Sequence, residues 1–307
     1  MSDALLAISD EVRAALEAGV AIVALESTII THGLPHPRNL EAARLAEAAV
    51  RAGGAMPATV AIHDGRILVG LDGTRLEELA GARDAVKVSR QTLASALGRP
   101  GWAGTTVSAT MIAADRAGIR VFATGGIGGV HRGGQESLDI SADLSELGRT
   151  PVAVVCAGPK SILDVGRTLE VLETAGVPVL GWGTDELPGF FSRTSGWRVP
   201  ARVDSAEEAA ELLRRHWALG LAGALLCVPL PEDVALPRAE AEAAITAAIR
   251  EADAAGIRGP ASTPFVLSRV AELTGGRSVE ANLALIRQNA GVATALATAL
   301  AHGALRS

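Results

Sequence analysis

The sequence predicts an α/β protein with a mixed, mainly parallel sheet covered by helices on both faces. Three observations carry the prediction. Apolar runs of strand length alternate with stretches of helical apolar spacing along most of the chain. Such alternation needs crossover connections, and these lay helices on the sheet faces. Hydrophobic residues make up 49% of the chain, many of them Ala, which favours helices and their close packing on a sheet. One pair of runs, ATVAIHD and RILVG, is separated only by Gly65 after Asp64, a hairpin signal that makes part of the sheet antiparallel.

In chain order, the first twenty residues carry acids among apolar positions and suggest an amphipathic helix, with nothing of a signal peptide. The strand candidates are VAIVALE ending at Glu26, ATVAIHD, RILVG, IRVFATGG, PVAVVCAG, VPVLGW, and AGALLCVP ending at Pro229. Helical spacing covers 37–53, 105–116, 160–175, 204–219, 238–255, 263–273 and 278–301. The stretch from Pro188 to Pro200 suggests an extended loop or edge strand. Its Phe190, Phe191 and Trp197 would cover a site or subunit contact, or form a satellite apolar cluster. No linker, charge block or internal repeat divides the 307 residues, so one domain over 1–307 is expected.

Composition excludes several functions. A net charge of −6 argues against a nucleic-acid backbone binder, and 3% aromatics with no Tyr argue against a stacking platform. No apolar stretch is long enough to span a bilayer, which points to a cytoplasmic protein without membrane partners. Cys156 and Cys227 lie in apolar runs without metal-ligand spacing and are expected as buried free thiols.

Ligands of open α/β sheets sit beyond the carboxyl ends of the strands. Four strand candidates lead there into polar or glycine-rich segments: Glu26-Ser27-Thr28, Thr124-Gly125-Gly126, Gly158-Pro159-Lys160 and Gly183-Thr184-Asp185. Lys160 is distinctive because the chain holds 28 Lys plus Arg, of which only Lys87 and Lys160 are lysines. An ammonium can lose its proton and attack a carbonyl carbon, which a guanidinium cannot. With the 160–175 helix opening at Lys160, the helix N-terminus would help lower its pKa. Glu26, ending an apolar strand, would have its pKa raised by burial and suit proton transfer near neutrality. The glycine-rich run 124–144 permits close approach to a phosphate, and its Glu136, Asp139 and Asp143 offer oxygen ligands for a hard divalent ion. Asp143 could equally cap a short helix. His131, among glycines, is the better acid–base candidate, with His32 and His36 flanking. No zinc spacing, nucleotide fingerprint or nucleophile elbow occurs.

These segments together resemble the pseudouridine-5′-phosphate glycosidase family, also described as indigoidine-synthase-A-like. The resemblance runs through ALESTIITHGLPHPRN (24–39), VKVSRQ (86–91), TTVSATM (105–111), FATGGIGGVHRG (122–133), SLDISADL (137–144), CAGPKSILD (156–164), LGWGTDELPGFFSR (180–193) and SVEANLALIRQNA (278–290). It implies a three-layer α/β/α sandwich, a homotrimer, and reversible cleavage of a carbon–carbon glycosidic bond in pseudouridine 5′-phosphate. It further implies Lys160 as an imine-forming nucleophile, Glu26 as general acid and His131 in sugar ring opening. Lys87, Thr106, Val107 (through its backbone), Thr124, Ser141, Ala142, Asp143 and Asn282 would contact substrate, and Asp139 would bind Mn2+. No organic cofactor is implied. Another Schiff-base lyase on a sugar phosphate, or a non-catalytic sugar-phosphate or nucleotide sensor, are the rival readings.

Overall fold

Val23 and Leu25 point into one hydrophobic layer, and Ile22 and Ala24 into the other. The first long run is apolar throughout because both faces of its strand are covered. The computed structural model describes residues 4–257 and 262–304. Its strands are β1 (Leu6–Ile8), β2 (Ile22–Leu25), β3 (Met56–His63), β4 (Arg66–Val69), β5 (Val86–Val88), β6 (Trp102–Thr105), β7 (Val121–Ala123), β8 (Val130–His131), β9 (Ala153–Cys156), β10 (Leu163–Asp164), β11 (Val179–Trp182), β12 (Ala201–Val203) and β13 (Ala224–Cys227). The main sheet has the order β1-β4-β3-β2-β7-β9-β13-β11-β12, with β6 on β3 and β5 on β6. Within the described residues the antiparallel pairings of this sheet are β3 with β4 and β3 with β6, and its other pairings are parallel.

The helices Arg38–Ala52, Ala206–Ala218, Arg238–Ala254 and Arg277–Ala304 pack on one face. Asp10–Glu17, Val107–Arg116, Ala142–Leu147 and Val165–Thr174 pack on the other, giving the three-layer sandwich. The hairpin forms as its two residues require. Asp64 (φ 45) and Gly65 (φ 79) both take left-handed conformations, and β3 and β4 pair antiparallel across them.

All seven strand candidates form, and the structure adds β1, β5, β6, β8, β10 and β12. Three expectations change. The N-terminal helix covers only Asp10–Glu17, capped by Ser9, because Leu6–Ile8 joins the sheet edge beside β4. Phe190 and Phe191 lie in the main core, each 2% exposed, and only Trp197 of that aromatic group stays half exposed. The helix expected from residue 160 begins at Val165. Residues before it are diverted into a bridge of Pro159 with Ile127 and the pairing of β10 with β8, and Asp164 supplies the cap. Lys160 therefore does not open a helix, and no helix dipole acts on it from that position.

The long β3 positions the site. Its first half pairs with β2, and its second half extends past the end of β2 to pair with β6. Running antiparallel to β3, β6 carries its own carboxyl end back to meet that of β2. There the Thr105 N–H donates to Ser27 Oγ at 2.9 Å and the Thr106 N–H to the Val88 carbonyl at 2.8 Å.

Candidate active site

A cavity of about 410 Å3 opens where these ends converge, and Glu26, Lys87, His131, Asp139 and Lys160 all line it. Glu26 follows β2 and is buried. Burial pushes its carboxyl above the ordinary range; the Lys160 ammonium and the hydroxyl of Thr124, which donates to Glu26 Oε1, partly offset this. Thr124 itself follows β7. It is fixed by Asn289 on the last helix, whose side-chain amide donates to the Thr124 carbonyl at 2.8 Å.

Lys160 is delivered by two loops locked together. The N–H of Ala157 donates to the Gly125 carbonyl at 3.0 Å, that of Ile127 to Gly158 at 3.1 Å, and that of Lys160 to Ile127 at 3.0 Å. Gly126 must lack a side chain here. A Cβ would lie 2.6 Å from the Phe190 ring and 2.9 Å from the Gly158 carbonyl oxygen. Lys87 arrives from β5, across the cavity. Its amine is held below the ordinary lysine range, chiefly by burial and then by the nearby Lys160 charge, while Glu26 and Asp143 act in the opposite sense.

Asp143 is buried, and its carboxylate accepts from the Ser108 N–H and the Gly128 N–H, both at 2.9 Å. Ser141, not Asp143, caps the helix Ala142–Leu147. Asp143 instead ties the start of the helix Val107–Arg116 to the glycine loop. His131 sits on β8 with Nδ1 4.0 Å from Asp139 Oδ2, and Asp139 is half exposed.

Thr106, Ser141, Ala142 and Asp143 also line the cavity. Val107, Thr124 and Asn282 are not in its lining. Val107 is buried in the core, and Thr124 faces Glu26. Asn282 lines an adjoining cavity of about 400 Å3 with His32, and its buried Oδ1 has no hydrogen-bond partner among the described residues. Thr184 and Asp185 lie apart. They follow β11, which is separated from β9 by β13, and Asp185 pairs with Arg202. Sequence reasoning passed over Ser89, Gln91 and Thr92 on the turn after β5, and Thr263 at the start of the helix Ser262–Leu273. It also gave no role to Thr28, whose buried hydroxyl has no partner among the described residues. Its position two residues after Glu26, at a strand end, was the signal available. Cys156 and Cys227 are buried free thiols at paired positions of β9 and β13.

An α/β sheet that gathers two amines, a buried carboxyl and glycine loops beyond its strand ends has the layout of an enzyme acting on a small anionic molecule. The family described as indigoidine synthase A like protein matches residues 11–299, and the chain belongs to it. It is 56% identical to a pseudouridine-5′-phosphate glycosidase of Methylobacterium nodulans, over 98% of this chain and 89% of that protein. It is 54% identical to one of Solibacter usitatus, over 96% and 99%. Among solved structures it is similar to the prealnumycin C-glycosynthase AlnA in complex with ribulose 5-phosphate, with a TM-score of 0.92 and 41% identity over 100% of both chains. An indigoidine synthase A-like protein from Thermotoga maritima gives a TM-score of 0.88 and 34% identity over 98% of both chains.

Proposed function

We propose that the chain reversibly cleaves the carbon–carbon glycosidic bond of pseudouridine 5′-phosphate, giving uracil and ribose 5-phosphate. The observation that carries this reading is the meeting of both lysines of the chain and the buried Glu26 in one cavity, in a chain more than half identical to glycosidases of that name. A carbon–carbon bond offers no glycosidic oxygen to protonate, so a pair of carboxylates alone is insufficient. A lysine and an acid supply what is missing. The sugar opens as the Lys160 amine attacks C1′ and displaces the ring oxygen O4′, which, through His131, takes the proton shed by the nitrogen. The nitrogen lone pair forms the C=N bond as the bond from C1′ to uracil breaks. The released electron pair stays on the uracil carbon, which takes the proton of Glu26. Water then adds to the imine and returns ribose 5-phosphate and the free amine.

Burial that favours the neutral form of Glu26 suits it to hold this proton. Lys87, Thr106, the Val107 backbone and Ser141 to Asp143 hold the sugar phosphate. Thr124 serves by orienting Glu26, and the free Oδ1 of Asn282 suits a uracil N–H. Among the described residues no group of three or more His, Cys, Asp and Glu side chains forms a metal cage. The half-exposed Asp139 fits a single protein ligand of Mn2+, the other ligands being water and substrate oxygens. The ion would offset phosphate charge. A homotrimer is part of the same proposal, and light scattering of the purified protein checks it. No helix among the described residues is long and apolar enough to cross a membrane.

The test is incubation with uracil, ribose 5-phosphate and Mn2+, followed by product mass. Pseudouridine 5′-phosphate is the expected product, and its absence would refute the reading. Borohydride added with ribose 5-phosphate should trap an adduct on Lys160 and leave Lys87 unmodified. The likeness to AlnA favours a second reading, a C-glycosynthase joining a sugar phosphate to an acceptor other than uracil. That reading predicts the trapped Lys160 adduct without condensation onto uracil.

A further inference from the structure

A second cavity, of about 360 Å3, lies behind the wall that carries Lys160 and His131. The wall is the antiparallel pair β8–β10, with His131 opposite Leu163, and the loop leading into it. The chain turns at Arg132, directly after β8, and at Ser161, just before β10. His131 and Lys160 line the first cavity, whereas their neighbours Arg132 and Ser161 line the second.

The second cavity is lined by two arginines and two carboxylates, and both carboxylates are already engaged. Glu242 is taken by Arg132, which donates to both of its carboxylate oxygens, at 2.8 and 3.2 Å. Asp164 is occupied by the side chain and N–H of Arg167. Arg238 has no ion-pair partner among the described residues. Its guanidinium lies beside Gly196, where a Cβ would come within 2.6 Å of both terminal nitrogens. Ser161 is only 7% exposed, and its hydroxyl has no hydrogen-bond partner among the described residues. A buried donor left unmatched and an unpaired guanidinium on one polar cavity are complementary to an oxyanion. The half-exposed ring of Trp197 forms an adjacent wall.

We infer that this cavity binds a phosphate group, free or as a small monoester, through Arg238 and the Ser161 hydroxyl, and that occupancy is transmitted through the shared wall to Lys160 and His131. The test titrates the full chain, without metal, with inorganic phosphate and separately with glycerol 3-phosphate, following tryptophan fluorescence. A saturable change that disappears in Trp197→Phe is expected. Arg238→Gln should weaken binding about tenfold or more, the loss of a charge-assisted hydrogen bond, and Ser161→Ala about threefold or more. The tighter of the two ligands identifies free anion or ester. In turnover assays added phosphate should change kcat in the wild type and leave it unchanged in Arg238→Gln, which keeps wild-type turnover at substrate concentrations too low to fill this cavity. No saturable change, equal affinity in Arg238→Gln, or a purely competitive effect on KM in both proteins would overturn the inference. The binding measurement needs no turnover, so its failure is distinct from failure of the proposed reaction.

Discussion

Replacing Asp143 with Ala tests whether this residue organises the site or only touches what binds there. Its carboxylate accepts two backbone N–H groups, from Ser108 and Gly128, and the residue is 5% exposed. Truncation strands both donors. A buried donor without a partner costs about 1–3 kcal/mol, so the pair sets a range of roughly 2–6 kcal/mol. Two effects act against the upper end. Water from the adjoining cavity can reach the partly buried Gly128 amide, and removing a negative charge relieves Glu26, whose pKa Asp143 helps to raise. The expected loss is about 3 kcal/mol. Asp143→Asn should fall between wild type and Ala, since one amide oxygen can serve one N–H while the amide nitrogen opposes the other. Urea unfolding at neutral pH measures both, with the three slopes compared to confirm that the denatured state is unchanged. A loss below about 1 kcal/mol for Asp143→Ala would refute the reasoning and leave Asp143 as a substrate contact alone.

Three further outcomes are expected. Lys160→Arg keeps the positive charge but cannot form an imine, so turnover should fall by at least about a thousandfold, the scale of losing a covalent nucleophile; appreciable turnover or a borohydride-trapped sugar adduct in that variant would exclude the mechanism. The Glu26 carboxyl is raised from an ordinary value of 4.5, so the folded state holds more protons than the unfolded one between that value and its folded pKa. Stability relative to Glu26→Gln should therefore decrease as pH rises through this window, by at most about 1.4 kcal/mol per pH unit for one proton, and a flat or rising difference in denaturant unfolding would show that burial does not control this group. Gly126→Ala drives a methyl against the Phe190 ring and the Gly158 carbonyl, so the Lys160 loop must shift; the trapped yield with ribose 5-phosphate should drop severalfold, and an unchanged yield would mean that the two loops are not locked.

The strand-end rule found Glu26 and Lys160 from the sequence because β2 and β9 are parallel, buried on both faces and therefore written as unbroken apolar runs. It failed for Thr184 and Asp185 because sequence order does not reveal spatial order. The insertion of β13 between β9 and β11 separates that strand end from the site. Lys87 illustrates another limit. Its strand is three residues long, and a period needs more residues than that to be visible. Scarcity of lysine marked Lys87 as unusual, but only the reversed direction of β5 and β6 explains how it meets residues from β2 and β9.

That reversal bears on the chemistry as well as the fold. A wholly parallel sheet would offer its groups from one side of the crevice only. Here β3 outruns β2, and the antiparallel β6 and its partner β5 use the overhang to return Lys87 and Thr106 toward Glu26. Two amines and a carboxyl thereby come to share one partly desolvated space. The consequence is mutual: the Lys160 charge depresses Lys87 and favours ionised Glu26, while burial acts against charge on Glu26 and Lys87 alike. Altering any one of the three should change proton occupancy at the others. Lys87→Met removes a positive neighbour that stabilises ionised Glu26, so the pKa of Glu26 should rise further. The limb of a kcat/KM–pH profile governed by Glu26 should then move to higher pH in any turnover that remains. A limb that stays in place would mean that Lys87 and Glu26 are not electrostatically coupled across the cavity.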